Sequence, residues 1–165
     1  MYKFLPEQIE NLRKQMYSET LKLKGIVQTR KESYAEQKTN EGEETRIQVD
    51  NTLLESFIMN TNSLNDIKKK LLNCEVVERS NSDEIEVGST FEISLFFDDE
   101  EEKSIFTLVE TRIPKDPINF ISVTSPLGKA ILGKKQGDNF KYVVENSIFS
   151  GRIDEIVKEK VRTNF

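Results

Sequence analysis

Two apolar seams on helical spacing, separated by ten residues with no apolar side chain, constrain this chain more than any other feature. The first seam runs Ile9, Leu12, Met16, Leu23, Ile26 and Tyr34. The second runs Leu53, Phe57, Leu64, Ile67 and Leu71. Both advance in steps of three and four or their sums, which places side chains on one stripe of an α-helix. Neither helix can bury such a stripe alone. Between them lie Gln37 to Arg46, with Gly42 near the middle, and this reads as a turn. A short connection favours antiparallel neighbours. The expectation is a long antiparallel α-helical hairpin, a coiled coil, over residues 1–75 with its tip near 38–47. Pro6 suits the first helical turn and Glu7 suits the positive end of the helix dipole. At ~1.5 Å per residue, arms of about 28–34 residues reach roughly 40–50 Å. By itself, this pattern describes a scaffold or dimerisation coil as well as a specialised rod.

Beyond residue 75 the period changes. Glu75–Glu78, Phe91–Phe97, Ser104–Val109, Phe120–Val123, Phe140–Val144 and Ile153–Val157 are short β-type runs. Asp98–Lys103 reads as a charged hairpin connection, and Ile113–Pro117, with two prolines, breaks regular structure. Ser125 as N-cap and Pro126 at the first position open a short helix to Leu132, which Gly133 can end. Residues 76–165 are expected as a second domain, so the chain as a whole is α+β: a helical hairpin followed by an antiparallel sheet with one short helix.

Composition narrows the chemistry. Hydrophobic residues make up 36% and charged residues 32%, too polar for one thick core and suited to a surface-rich shape. No run approaches the ~20 apolar residues of a membrane span, and the first residues hold no apolar stretch of signal-peptide length. A cytoplasmic location without membrane contact is the expectation. The chain has no histidine, no tryptophan and one cysteine, Cys74. Histidine metal sites and triads with an imidazole base are thereby excluded, leaving carboxylates as the groups for any chemistry. Residues 1–74 hold 12 Lys and Arg against 11 Asp and Glu, a net of +1, and the remainder holds 12 against 18, a net of −6. That balance points to a protein partner rather than to indiscriminate duplex binding.

The stretch from Val123 through Ser125-Pro126-Leu127-Gly128 and Gly133-Lys134-Lys135-Gln136-Gly137-Asp138 resembles the C-terminal signature of the Gre family of bacterial transcript-cleavage factors. That family shows Ser-Pro, an apolar residue, a short helix with Ala, and Gly-Lys-x-x-Gly-Asp before a strand. Leu64–Val77 resembles the family's exit from the hairpin into the sheet, and Leu5–Leu12 its opening. The resemblance implies an FKBP-like C-terminal domain that docks on the rim of the secondary channel of bacterial RNA polymerase, with Ser125, Pro126 and Leu127 in the docking surface. The residue-level alternative for the same three is a helix start and a core contact. It further implies a hairpin that enters the channel and an accessory factor that is not itself an enzyme. Its acidic tip would help the polymerase hold a second Mg2+ and cleave the nascent RNA 3′ end of backtracked complexes. The protein alone needs no cofactor on this reading and is taken as a monomer.

At the tip the sequence departs from that pattern. The cleavage factors carry Gly-Asp-x-x-Glu-Asn. Aligned on Gly42, this chain has Glu43 at the aspartate position, Arg46 at the glutamate position and Ile47 at the asparagine. Glu41, Glu43 and Glu44 are the acidic candidates for the catalytic role, with Glu43 and Glu44 as metal ligands shared with the polymerase. The bland alternative is a solvated turn. Arg30, Lys31 and Lys38 on the first arm are candidates for contact with RNA phosphates; a solvated helix face is the alternative. Two functions follow: promotion of transcript cleavage, or a non-cleaving regulator that occupies the same channel.

Overall fold

The structure is a computed structural model. It describes the backbone of residues 1–36 and 43–158 and the side-chain environments of residues 1–29 and 51–158. The chain divides into two units. One comprises Met1–Ile9 with the chain from Cys74 onward, the other Glu10–Asn73.

The second unit is the helical hairpin. Helix α1 spans Pro6–Glu36, its first turn belonging to the other unit, and α2 spans Glu43–Leu72. Seam residues are the sheltered ones: Ile9, Leu12 and Ile67 are buried, and Met16, Leu23, Ile26, Leu53, Leu64 and Leu71 are half-buried. Phe57 is the departure, an expected seam residue that remains exposed. Tyr34 lies outside the described side chains. The arms are otherwise polar, with Lys14–Glu10, Lys22–Glu19 and Lys70–Asp66 pairs at 3.4, 3.3 and 3.0 Å, each worth a few tenths of a kcal/mol. Gly25 weakens α1 locally, since helix-interior glycine costs ~1 kcal/mol against alanine.

The other unit is built on a five-stranded sheet in the order β5-β4-β3-β7-β6, from β3 (Thr90–Phe97), β4 (Glu100–Val109), β5 (Phe120–Ser122), β6 (Asn139–Val144) and β7 (Ser147–Val157). Helix α3 (Pro126–Ile131) packs on it. Ile85, Phe91, Ile93, Leu108, Ile131, Phe140, Ile153 and Ile156 form the core. The sheet is mixed, which corrects the antiparallel expectation: β5 runs parallel to β4, paired from Thr107↔Phe120 to Val109↔Ser122. The proline-broken crossover at 110–119 carries the chain back to the start of the sheet edge, so β5 enters in the direction of β4. A second parallel pair, β1 (Tyr2–Phe4) with β2 (Cys74–Val76), stands apart from the main sheet. The charged connection expected at Asp98–Lys103 is also shorter than its composition implies. Phe97 pairs with Glu100, so only Asp98 and Asp99 turn and the glutamates are strand residues on an exposed edge of the hairpin.

The start of α1 is locked into this unit by one buried amide. Gln8 is fully buried. Its Oε1 accepts from Leu5 N at 3.0 Å, and its Nε2 donates to Thr111 O and Asp116 Oδ2, both at 2.9 Å. A glutamine at the third helical position reaching back to the cap N–H is half of a capping box. Nearby, Arg79 donates to Thr90 and Thr107 hydroxyls at 2.8 and 3.0 Å and to the Glu7 carboxylate at 2.7 Å, with its guanidinium over the Phe120 ring.

Candidate functional site

Ser125, Pro126 and Leu127 sit where β5 gives way to α3. Ser125 is extended, with φ −69° and ψ 156°, and its Oγ accepts from Gly128 N at 3.0 Å while donating to Ser122 O at 2.6 Å. Serine thus satisfies an orphan helix donor and ties the cap to the preceding strand. Pro126, whose fixed φ suits the first turn, is exposed. Leu127 is half-buried and packs on the core beside Ile131. The helix lies so close to β5 that a Cβ on Gly128 would fall 2.0 Å from Ser122 O. A glycine is therefore required by contact, not by backbone angle. The structural roles of Ser125 and Leu127 are plain, and Pro126 is the member of the three that is presented outward.

What the proline borders was not legible in the sequence. Thr124, Pro126, Lys129, Ala130, Lys141, Tyr142 and Val143 line an open groove of about 400 Å³. From it an aromatic row crosses the sheet. Phe140 and Tyr142 stack at 6.3 Å, Tyr142 and Phe149 at 5.1 Å, and Phe149 meets Phe97 edge-on at 6.2 Å. Burial pushes the Tyr142 phenol above its ordinary pKa. Val144 adds exposed apolar surface on the same face, and Val143 and Ile148 are exposed on the other. The signal missed was Ile148-Phe149 as the opening of β7, six residues before the strand expected from Ile153. The turn between β6 and β7 explains the miss. Val144 pairs with Ser147, and Glu145 and Asn146 both take positive φ, a tight hairpin of the primed kind without glycine.

The opposite face of the sheet carries a polar cluster at a bulge, beside the exposed Phe96. Between Glu92↔Glu155 and Ile93↔Ile153 the register slips by one residue, leaving Asp154 as the extra residue of a bulge. Asp154 accepts from Ser94 Oγ in a short hydrogen bond and from Arg152 Nε at 2.9 Å. The Ser94 hydroxyl, then Arg152, hold its carboxyl below the usual range. Arg152 also reaches Glu101 at 3.2 Å and lies over the Phe96 ring.

A family model for the C-terminal region of the transcription elongation factors GreA/GreB matches residues 80–157, which contain all of these features except the hairpin. Residues 80–157 of this chain are thus similar to the C-terminal region of the GreA/GreB factors. The GreA of Clostridium botulinum is 39% identical over 94 residues, 54% of this chain and 56% of the relative. The GreA of Orientia tsutsugamushi is 29% identical over 106 residues, 63% and 64% of the two chains. The chain therefore spans between half and two thirds of the length of these curated relatives. Among solved structures, the GreA factor homolog Gfh1 of Thermus thermophilus is 19% identical and aligns over 94% of this chain and 98% of its own, with a TM-score of 0.42.

In the family frame the tip positions divide. Glu41 and Lys38 lie outside the described residues. Glu43 and Glu44 open α2, and Arg46 follows within its first turns, so these are helix positions rather than loop positions. Acidic residues at a helix start have a structural reason to be there, since the dipole favours negative charge. Arg30 and Lys31 lie on α1, with their side chains outside those described. Among the described residues no three His, Cys, Asp or Glu side chains come together as a metal site, and no helix is long and apolar enough to cross a membrane.

Proposed function

We propose that this chain is an accessory factor of bacterial RNA polymerase that docks through the Pro126 corner and occupies the secondary channel with its hairpin, modulating the enzyme without driving transcript cleavage. The observation that carries the non-cleaving reading is Arg46. The family's cleavage tip places its second carboxylate there, and this chain brings a positive charge to the same position. A cation repels a divalent ion, so the pair needed to help hold the second Mg2+ is incomplete. The docking part of the reading rests on Pro126 standing exposed beside an aromatic row and a groove of mixed polarity that Lys129 and Lys141 help to line. Arg30, Lys31 and Lys38 are proposed to approach extruded RNA near the 3′ end by charge alone.

Promotion of cleavage remains the second reading, favoured by Glu41, Glu43 and Glu44 around Gly42. Stalled, backtracked polymerase complexes with Mg2+ separate the two. The occupancy reading expects no RNA shortening, slower nucleotide addition, and competition with an active GreA. Pro126→Asp should weaken that competition at least tenfold without loss of fold. RNA shortening that disappears in the Glu43→Gln, Glu44→Gln double variant would establish the cleavage reading instead. Failure to compete at all would remove both.

A further inference from the structure

The sheet carries a second concavity, on the face turned away from α3. Phe91 faces the core beneath α3, so its neighbour Thr90 faces the other way. Thr90 belongs to a row of directly paired residues on four strands: Val157 on β7, Thr90 on β3, Thr107 on β4 and Phe120 on β5. Directly paired residues project to one face, and three strand spacings make the row roughly 14 Å long. The row is the floor of a trough of about 500 Å³, with Arg79 over its middle and Glu7 at its rim.

The middle of the trough has donors to spare. Arg79 Nη1 donates to both threonine hydroxyl oxygens, which fixes the guanidinium over the Phe120 ring. Those oxygens lie 2.9 Å apart, so one hydroxyl hydrogen bridges them. The other hydroxyl hydrogen meets no acceptor among the described residues. The Glu7 carboxylate is held by a single nitrogen, with both oxygens on Arg79 Nη2 at 2.8 and 2.7 Å. A well-formed arginine–carboxylate pair uses two nitrogens, yet Arg79 Nε donates to no group among the described residues. The Glu7 side chain is 53% exposed, and an ion pair that open to water costs little to part. Glu7 thus stands as an exchangeable carboxylate on a fixed cation.

We infer that this trough binds an apolar monocarboxylate. The incoming carboxylate displaces Glu7 and takes bonds from Arg79 and the spare threonine hydroxyl. The hydrocarbon part covers Val157, which extends the floor as apolar surface and is 42% exposed. One cation matches one negative charge. A dianion such as phosphate is opposed by the net charge of −6 beyond residue 74, and it leaves Val157 uncovered. The same chemistry is offered by a small organic acid and by the last residue of a polypeptide. The site does not rest on the polymerase reading, and a chain that binds the acid but ignores polymerase would overturn only that reading.

Titration of the full chain with N-acetyl-leucine, followed by NMR shifts of the backbone amides, tests this. Shifts at Gly88, Thr90 and Thr107 should saturate with a dissociation constant on the order of 1 mM. N-acetyl-leucinamide lacks the charge and inorganic phosphate lacks the hydrocarbon, so each should bind at least about tenfold more weakly. Arg79→Gln should abolish binding. Glu7→Gln should tighten it about fourfold, because the competing carboxylate is gone, whereas a merely structural ion pair predicts no gain. A short peptide ending in leucine separates the two sources: affinity about tenfold above that of N-acetyl-leucine assigns a polypeptide terminus, and anything less assigns a small acid. No shift at these amides up to about 20 mM, an amide or phosphate that binds as tightly as the acid, or binding that Glu7→Gln leaves unchanged or weakens would overturn the inference.

Discussion

Replacing Gln8 by leucine removes a buried amide at nearly constant volume and tests how the first turn of α1 is held. Three hydrogen bonds go with it: from Leu5 N, to Thr111 O and to Asp116 Oδ2. The partners are not freed to water. Asp116 is buried, and its Oδ1 has no partner among the described residues, so the carboxylate depends on Gln8 and on Ile113 N at 2.8 Å. Losing two neutral bonds and one to a charged group leaves about 4 kcal/mol unmet, and the added apolar burial returns roughly 1 kcal/mol. The net loss of about 3 kcal/mol is a large share of a typical stability. Urea unfolding followed by near-ultraviolet dichroism of the tyrosines should show it. Gln8→Glu supplies the control. The introduced carboxyl still accepts from Leu5 N but turns an oxygen toward Asp116. Burial and like charge raise its folded pKa above the unfolded value of about 4.3, so its cost is present above that folded pKa and fades as pH falls to about 4. A loss under about 1 kcal/mol for Gln8→Leu, or a pH-independent loss for Gln8→Glu, would refute this account.

Three further outcomes follow. Gly25→Ala should stabilise the hairpin by about 0.5–1 kcal/mol in thermal unfolding, because nothing lies within 4 Å of the added Cβ. Gly128→Ala should cost more than about 3 kcal/mol or prevent folding, since its Cβ meets the Ser122 carbonyl and no helix shift relieves this while the Ser125 cap holds; soluble yield and unfolding midpoint report it. Ser94→Ala should raise the Asp154 pKa toward the ordinary range, as read by carboxyl NMR titration. A depressed carboxyl adds stability above its unfolded pKa and loses it as pH falls through the folded one, so the parent's advantage over the variant should shrink below about pH 4. Solvent screening keeps that pH-dependent part under about 1 kcal/mol.

The sequence by itself determined what depends on neighbours along the chain. The period of Leu12, Met16 and Leu23, and of Leu64, Ile67 and Leu71, defined two helices and the need for each to pair. Ser125-Pro126 defined the start of α3, because a cap is written in three or four consecutive residues. Only the tertiary structure decided what depends on neighbours across space. Strand direction has no periodicity, so the parallel entry of β5 was invisible. Gln8 was one polar residue among many until it met Asp116 from the other end of the chain. The row Phe97, Phe149, Tyr142, Phe140 exists because a glycine-free turn folds β7 onto β6.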